Sequence, residues 1–190
     1  MTWTIRDAEA GELEALVGIW RRAVEATHHF LGAAEIDDLE RRVRAELARA
    51  ALRVAAGPDG PVGFLGGSAG EVDMLFVDPA VHGRGAGTAL LDDAAAHHPV
   101  LTLDVNEQNP AARAWYARRG FVETGRSETD EDGRPYPLLH LRRVTPPGPA
   151  PDRALQNGCQ GGPREGARPG AGAATGRPGA SAATGKSQPA

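Results

Sequence analysis

Apolar residues recur along this chain with two spacings. Leu13, Leu16, Val17 and Trp20 fall on one face of a helix predicted over 9–26, and Leu39, Val43 and Leu47 on one face of a second over 36–50. Trp3 to Arg6 reads as a strand. Strands at 52–56 and 62–66 flank Pro58-Asp59-Gly60-Pro61, whose residues suit a hairpin turn. The apolar run Met74 to Val77 ends a strand over 71–77, Asp78-Pro79 breaks it, and Ala86, Ala89, Leu90 and Ala94 begin an amphipathic helix over 85–97. A strand over 100–105 then leads to a helix over 109–119, with Asn109 as N-cap, Pro110 in the first helical position and Gly120 at the end. Strands over 121–128 and 137–142 complete an α/β domain.

The pattern stops near residue 144. The last 46 residues, Thr145 to Ala190, hold 10 Gly, 8 Pro and 10 Ala and almost no large apolar side chain. Burial there does not offset roughly 1 to 2 kcal/mol of backbone entropy per residue, so the expectation is one domain over 1–144 and a disordered tail over 145–190. The tail carries Arg153, Arg164, Arg168, Arg177 and Lys186 against Asp152 and Glu165, which leaves the domain at −7 within a chain of net −4. Such a domain repels a nucleic-acid backbone and favours cationic partners such as amines. Cys159, the single cysteine, allows no intrachain disulfide, and no Cys/His metal cluster is visible, so no metal is expected. Without a signal-like apolar core at the N-terminus or a membrane-length apolar run, a soluble cytoplasmic setting is expected.

The strand-to-helix turn His82-Gly83-Arg84-Gly85-Ala86-Gly87 is the first candidate for chemistry. Glycines permit left-handed φ and close approach of a ligand, while the first turn of a helix offers unpaired N–H groups and the positive end of its dipole. Together these bind phosphate. A nucleotide P-loop requires Gly-Lys-Ser/Thr, and the only lysine is Lys186. A dinucleotide fingerprint requires G-x-G-x-x-G, whereas Gly83, Gly85 and Gly87 alternate. The pattern Gln/Arg-x-x-Gly-x-Gly/Ala fits everywhere but at His82.

This turn resembles that of the GNAT acetyltransferases, where it cradles the pyrophosphate of acetyl-coenzyme A. Asn109-Pro-Ala-Ala-Arg-Ala-Trp-Tyr116-Ala-Arg-Arg-Gly120-Phe121 is similar to the family's Asn-x-x-Ala-x-x-x-Tyr-x-x-x-Gly-Phe block. With Ala26-Thr-His-His-Phe-Leu31, Asp73-Met-Leu-Phe-Val-Asp-Pro79, Asn106-Glu-Gln-Asn109 and Pro135-Tyr-Pro-Leu-Leu139, in that order over about 3–143, the chain resembles the YjaB-type branch, regarded as peptidyl-lysine acetyltransferases.

The resemblance implies a GNAT fold with a central mixed sheet of about six to seven strands and about four helices. It implies an acetyl-coenzyme A dependent N-acetyltransferase working by direct attack of an amine on the thioester. Coenzyme contacts are then expected from Leu75, Phe76, Val77, His82, Gly83, Arg84, Gly85, Ala86, Gly87, Thr88, Asn106, Asn109, Ala112 and Tyr116. Backbone N–H groups of 75–77 would meet the oxyanion. Tyr116 matches the tyrosine aimed at the thioester sulfur, and a phenol of pKa about 10 can protonate a thiolate. Glu71 and Asp73, two apart on a strand and so on one face, are candidate bases because an acid here resembles the family's base, though for each taken alone a solvated carboxylate at a strand end is the commoner case. His28, His29, Phe30 and Tyr136 fall where the family shapes its acceptor pocket, and half-buried loop residues are the alternative. A neutral imidazole at His82 supplies at most one donor where Arg supplies five, so weaker or pH-dependent coenzyme affinity is expected.

Asp130-Glu131-Asp132-Gly133 mimics part of a calcium loop, but Leu139 stands where that loop needs glutamate; a hairpin turn is the better reading. The acceptor is a protein lysine or a small-molecule amine, and the chain a monomer or homodimer. A catalytically silent acyl-coenzyme A sensor is the alternative reading, and a nucleotide-binding enzyme a third.

Overall fold

The structure is a computed structural model that describes residues 2–28, 31–130 and 132–145. In chain order it has β1 (Thr4–Asp7), α1 (Leu13–Thr27), α2 (Ala33–Leu47), β2 (Leu52–Gly57), β3 (Gly60–Ser68), β4 (Glu71–Val77), a 3-10 turn (Pro79–Val81), α3 (Ala86–His97), β5 (Val100–Asn106), α4 (Pro110–Ala117), β6 (Val122–Ser127) and β7 (Leu138–Val144). The seven strands form one mixed sheet in the order β1-β2-β3-β4-β5-β7-β6. Every neighbouring pair is antiparallel except β4–β5, which α3 joins as a parallel crossover.

The apolar faces predicted by spacing fill two cores, one on each side of the sheet. Leu16, Val17, Trp20 and Val24 of α1 and Leu39, Val43 and Leu47 of α2 pack on Val54, Phe64 and Phe76. Leu90 and Leu91 of α3, with Ala112, Trp115 and Tyr116 of α4, pack on Leu75, Val77, Leu103, Val105, Leu139 and Leu141. Alternation along each strand sends one set of side chains to each core.

Element ends depart from the spacing where polar contacts intervene. Helix α1 begins at Leu13 rather than residue 9 because Gly11 is left-handed (φ +98°) and Glu12 turns back to accept from the Glu9 N–H at 2.7 Å. Helix α2 begins three residues early, at Ala33, where the Glu35 carboxylate accepts from the Gly32 N–H at 2.8 Å. The first hairpin turns within Pro58-Asp59, so Gly60 and Pro61 are already in β3, and a bulge at Val62 accommodates the proline. The acidic segment after β6 is a turn, as expected. Buried Asp130 accepts from the N–H groups of Asp132 and Arg134 at 3.0 and 2.8 Å, and Gly133 is left-handed (φ +75°).

All of the tail expected over 145–190 except Thr145, and with it Cys159, lies outside the described residues, as do His29 and Phe30. No helix among the described residues is long and apolar enough to cross a membrane.

The Arg6 guanidinium donates to both oxygens of Glu12 at 3.0 and 2.7 Å, joining β1 to the start of α1. That bond, with the Glu9 N–H, holds the Glu12 carboxyl below its ordinary value against the opposing effect of burial. A carboxyl lowered in the native state contributes stability that is fully present above its unfolded pKa of about 4.3 and is lost as pH falls through the folded value. In urea unfolding, Glu12→Gln is therefore expected to flatten part of the loss of stability below about pH 5, and an unaltered pH dependence would contradict the assignment.

Candidate active site

Strands β4 and β5 are paired only at Glu71–Thr102 and Val72–Leu103. Beyond those two pairs they separate. On its other edge β4 stays paired with β3 as far as Val77, and β5 with β7 as far as Asn106, so the sheet opens without unravelling. The facing edges of 74–77 and 104–106 carry backbone N–H and C=O groups that no ladder between these strands satisfies. A buried edge of that kind accepts an extended polar ligand as it would a strand.

A bulge sits at the point of separation. Gly66 pairs with Met74 and Gly67 with Val72, which leaves Asp73 as the extra residue on β4. Val72, Leu75 and Val77 consequently share the α3/α4 core, while Met74 and Phe76 turn to the α1/α2 core. The simple alternation from which Glu71 and Asp73 were placed on one face is interrupted between them. Glu71 is exposed at the closed end, in the last β4–β5 pairs, whereas Asp73 is half-buried at the opening. Leu75, Phe76 and Val77 have fully buried side chains, so only their backbone faces a ligand.

The glycine-rich turn follows at the open end. Asp78 accepts from the Ala80 N–H at 3.0 Å and from Arg22 of α1 at 2.9 and 2.5 Å, fixing the exit from β4. Gly83 (φ +72°) and Gly85 (φ +88°) are left-handed, and a Cβ at either would meet nothing within 4 Å. Their requirement is conformational rather than spatial. Gly87 lies buried within the first turn of α3. The first intrahelical bond runs from the Ala89 N–H to the Gly85 carbonyl at 3.0 Å, so the N–H groups of Ala86, Gly87 and Thr88 precede it. They border a cavity of about 350 Å³ lined also by Val77, Val81, Trp115, Arg118 and Arg119.

Two contacts hold this turn that sequence reading missed or misjudged. The indole N–H of Trp3 donates to the Arg84 carbonyl at 2.8 Å, across 81 residues. No local pattern announces such a bond. His82 is half-buried, and its Nε2 donates to the Val77 carbonyl at 3.1 Å. That hydrogen is committed to the strand, and a neutral ring has no second one to offer a phosphate.

Tyr116 lies fully buried in the α3/α4 core, edge-on to Trp115 and Phe121 at ring distances of 5.1 and 5.3 Å. Asn109 caps α4 as expected, its Oδ1 accepting from the Ala112 N–H at 3.0 Å, and Gly120 is left-handed (φ +80°) just after the helix. Asn106, buried at the end of β5, accepts from the Gln108 N–H at 2.8 Å. The carboxamide oxygens of both asparagines are thus engaged with backbone. Ala112 is buried beneath α4.

Opposite that core, the residues expected from sequence to shape an acceptor pocket come together only in part. His28 is buried at the end of α1, its Nδ1 3.2 Å from Thr27 Oγ1. Tyr136, on the β6–β7 connection, donates to Glu35 of α2 at 3.2 Å; burial, with Glu35 beside it, raises its pKa. Arg42 of α2 bonds Asp132 of the same connection at 2.9 Å. Between these walls lies a polar chain that the spacing did not reveal. Because Leu103, Val105, Leu139 and Leu141 point into the helical core, Asp104 and His140 project from the other face. His140 Nδ1 donates to Asp104 Oδ1 at 2.7 Å, and Ser127 Oγ is hydrogen-bonded to His140 Nε2 at 2.8 Å. Gly125 makes room for the ring, since a Cβ there would stand 3.1 Å from His140 Cδ2. Asp104 is the first residue of β5 past the last β4–β5 pair, as Asp73 is on β4. The signal was the single polar position in an otherwise apolar run, Leu101 to Val105, apart from Thr102.

An acetyltransferase (GNAT) domain model matches residues 21–137. The peptidyl-lysine N-acetyltransferase YjaB of Escherichia coli strain K12 is 48% identical over 145 residues, covering 76% of this chain and 99% of that protein. Its Salmonella typhimurium counterpart of the same name is 46% identical over 142 residues, covering 74% and 98%. The solution structure of apo YjaB from Escherichia coli superposes with a TM-score of 0.72 at 47% identity, over 77% of this chain and all of that one. The opened sheet, the left-handed glycine turn and these likenesses agree: the chain belongs to the GNAT acetyltransferase family and is an acetyl-coenzyme A dependent N-acetyltransferase.

Proposed function

We propose that the acceptor is the ε-amine of a protein lysine, acetylated by direct attack on the coenzyme's thioester. The observation that carries this reading is the separation of β4 from β5 beside the N-terminus of α3, with Tyr116 on one side of the sheet and a carboxylate-bearing face on the other. Asp73 and Asp104 at the opening suit a cationic side chain, and the relatives at 48 and 46% identity are named for peptidyl-lysine.

The residues present fit the coenzyme. Backbone N–H groups of 86–88 and the left-handed Gly83 and Gly85 suit a pyrophosphate, and the open β4 edge at 75–77 suits the amide-rich arm that carries the thioester. An oxyanion formed from that thioester takes its hydrogen bonds from the same edge.

A lysine amine of pKa about 10.4 arrives protonated and must lose a proton before it attacks. Of the two carboxylates expected from sequence, Asp73 stands at the opening and Glu71 at the closed end. Asp104, oriented by His140, is a further candidate at the same level as Asp73. The amine nitrogen then bonds to the carbonyl carbon, the carbon–sulfur bond breaks, and Tyr116 protonates the departing thiolate. The proton shed by the new amide nitrogen restores the phenol.

Tyr116→Phe is expected to lower kcat well over tenfold while acetyl-coenzyme A affinity stays within about twofold; an unchanged kcat removes Tyr116 from the chemistry. Asp73→Asn or Asp104→Asn is expected to do the same, and the variant that does identifies the proton acceptor, whereas full activity in both contradicts carboxylate catalysis. At equal concentrations, a lysine peptide is expected to be acetylated faster than a polyamine or aminoglycoside, as read by mass spectrometry. The opposite order would assign the enzyme to small amines.

A further inference from the structure

His82 stands where the family pattern has Arg or Gln and spends its Nε2 hydrogen on the Val77 carbonyl, while two cations gather on the other wall of the cavity beside the glycine turn. Arg118 and Arg119, at the end of α4, line it together with Gly83, Gly85, Gly87 and Thr88. The Arg119 guanidinium lies 3.5 Å from the centroid of the Trp115 ring. It donates to Thr88 Oγ1 at 3.1 and 2.6 Å and to the Trp115 carbonyl at 3.1 Å. Every one of these partners is neutral.

Several other arginines of the domain are held by carboxylates instead. Arg6, Arg21, Arg22, Arg44, Arg53 and Arg126 are each neutralised by one or more carboxylates. Among the described residues, Arg118 and Arg119, like Arg49, Arg84, Arg113 and Arg142, enter no ion pair, although the domain carries an excess of carboxylates; what sets Arg118 and Arg119 apart is that they line the cavity of the glycine turn. Arg143 stands near them, its guanidinium 5.3 Å from the Phe121 ring, and it too enters none. Desolvation, then repulsion from Arg118, disfavours the charged form of Arg119, and the nearby Asp92 offsets this only in part. Arg119 is half-buried beside the exposed Arg118, and a like charge next to a partly desolvated one costs free energy that an added anion offsets.

We infer that Arg119, supported by Arg118, binds a phosphate of the coenzyme and takes over the role that His82 gives up to the Val77 carbonyl. Trp115 and Thr88 hold the guanidinium flat and aimed, which reduces the ordering cost of a bidentate phosphate contact. The phosphate is either the pyrophosphate at the α3 N-terminus or the 3′-phosphate of the adenosine. The inference rests on the acetyl-coenzyme A reading of the same cavity.

The test compares coenzyme A with 3′-dephospho-coenzyme A, by calorimetry, on the full chain and on Arg119→Met. If Arg119 meets the 3′-phosphate, the variant loses about tenfold or more in affinity for coenzyme A and little for the dephospho form. If it meets the pyrophosphate, both affinities fall by a similar factor. Affinities for both within twofold of the parent, in a variant of unchanged Tm, overturn the proposal. Should Arg119→Met fail to fold, the Arg119 side-chain Nε–H signal of the unaltered protein answers by nuclear magnetic resonance. It is expected to shift with coenzyme A and not with pantetheine, which has no phosphate; equal response to both overturns the assignment. Failure of the unaltered protein to bind coenzyme A would instead remove the transferase reading on which the inference rests.

Discussion

Two parallel strands that pair for only two residues organise this molecule. The β4–β5 contact ends at Val72 and Leu103, where the Asp73 bulge shortens the effective pairing and twists β4 away. Antiparallel partners on the outer edges keep both strands in place, so the opening is a fixed feature of the sheet. All the chemistry follows from it. The α3 N-terminus lies at the end of one diverging strand, α4 follows the end of the other, and Asp104 and His140 project on the opposite face of the sheet from α4.

The supports of the site come from distant parts of the chain. Trp3 of the N-terminal segment holds the Arg84 carbonyl, Arg22 of α1 holds Asp78, and His82 ties its own loop to Val77. A phosphate loop needs its N–H groups aimed before the ligand arrives, and each of these bonds removes a degree of freedom from it. Charge is arranged with the same economy. Carboxylates pair with many surface arginines, while Arg118 and Arg119 line the cavity of the glycine turn without an ion pair.

Much of this was legible in the sequence because it is local. The helical faces of α1 and α2, the Asn109 cap, the Gly83 and Gly85 turn and the Gly120 stop each depend on neighbours a few positions away. What was not legible depends on pairing between strands. The bulge at Asp73 arises from the Gly66–Gly67 register of β3, and no spacing within β4 announces it. Asp104, His140 and Ser127 lie on three strands and meet only through the order β5-β7-β6. His82 invited reading as a phosphate ligand because its neighbours fit a motif; its bond to Val77 appears only once the strand end and the loop are seen together.

The central claim is that coenzyme occupies the edge that β4 leaves open. Amide hydrogen exchange of the full chain, with and without saturating acetyl-coenzyme A, tests it directly. Slowed exchange confined mainly to the amides of 74–77 and 83–88 is the result this account predicts. Unchanged exchange at those amides, with protection elsewhere or nowhere, would contradict it.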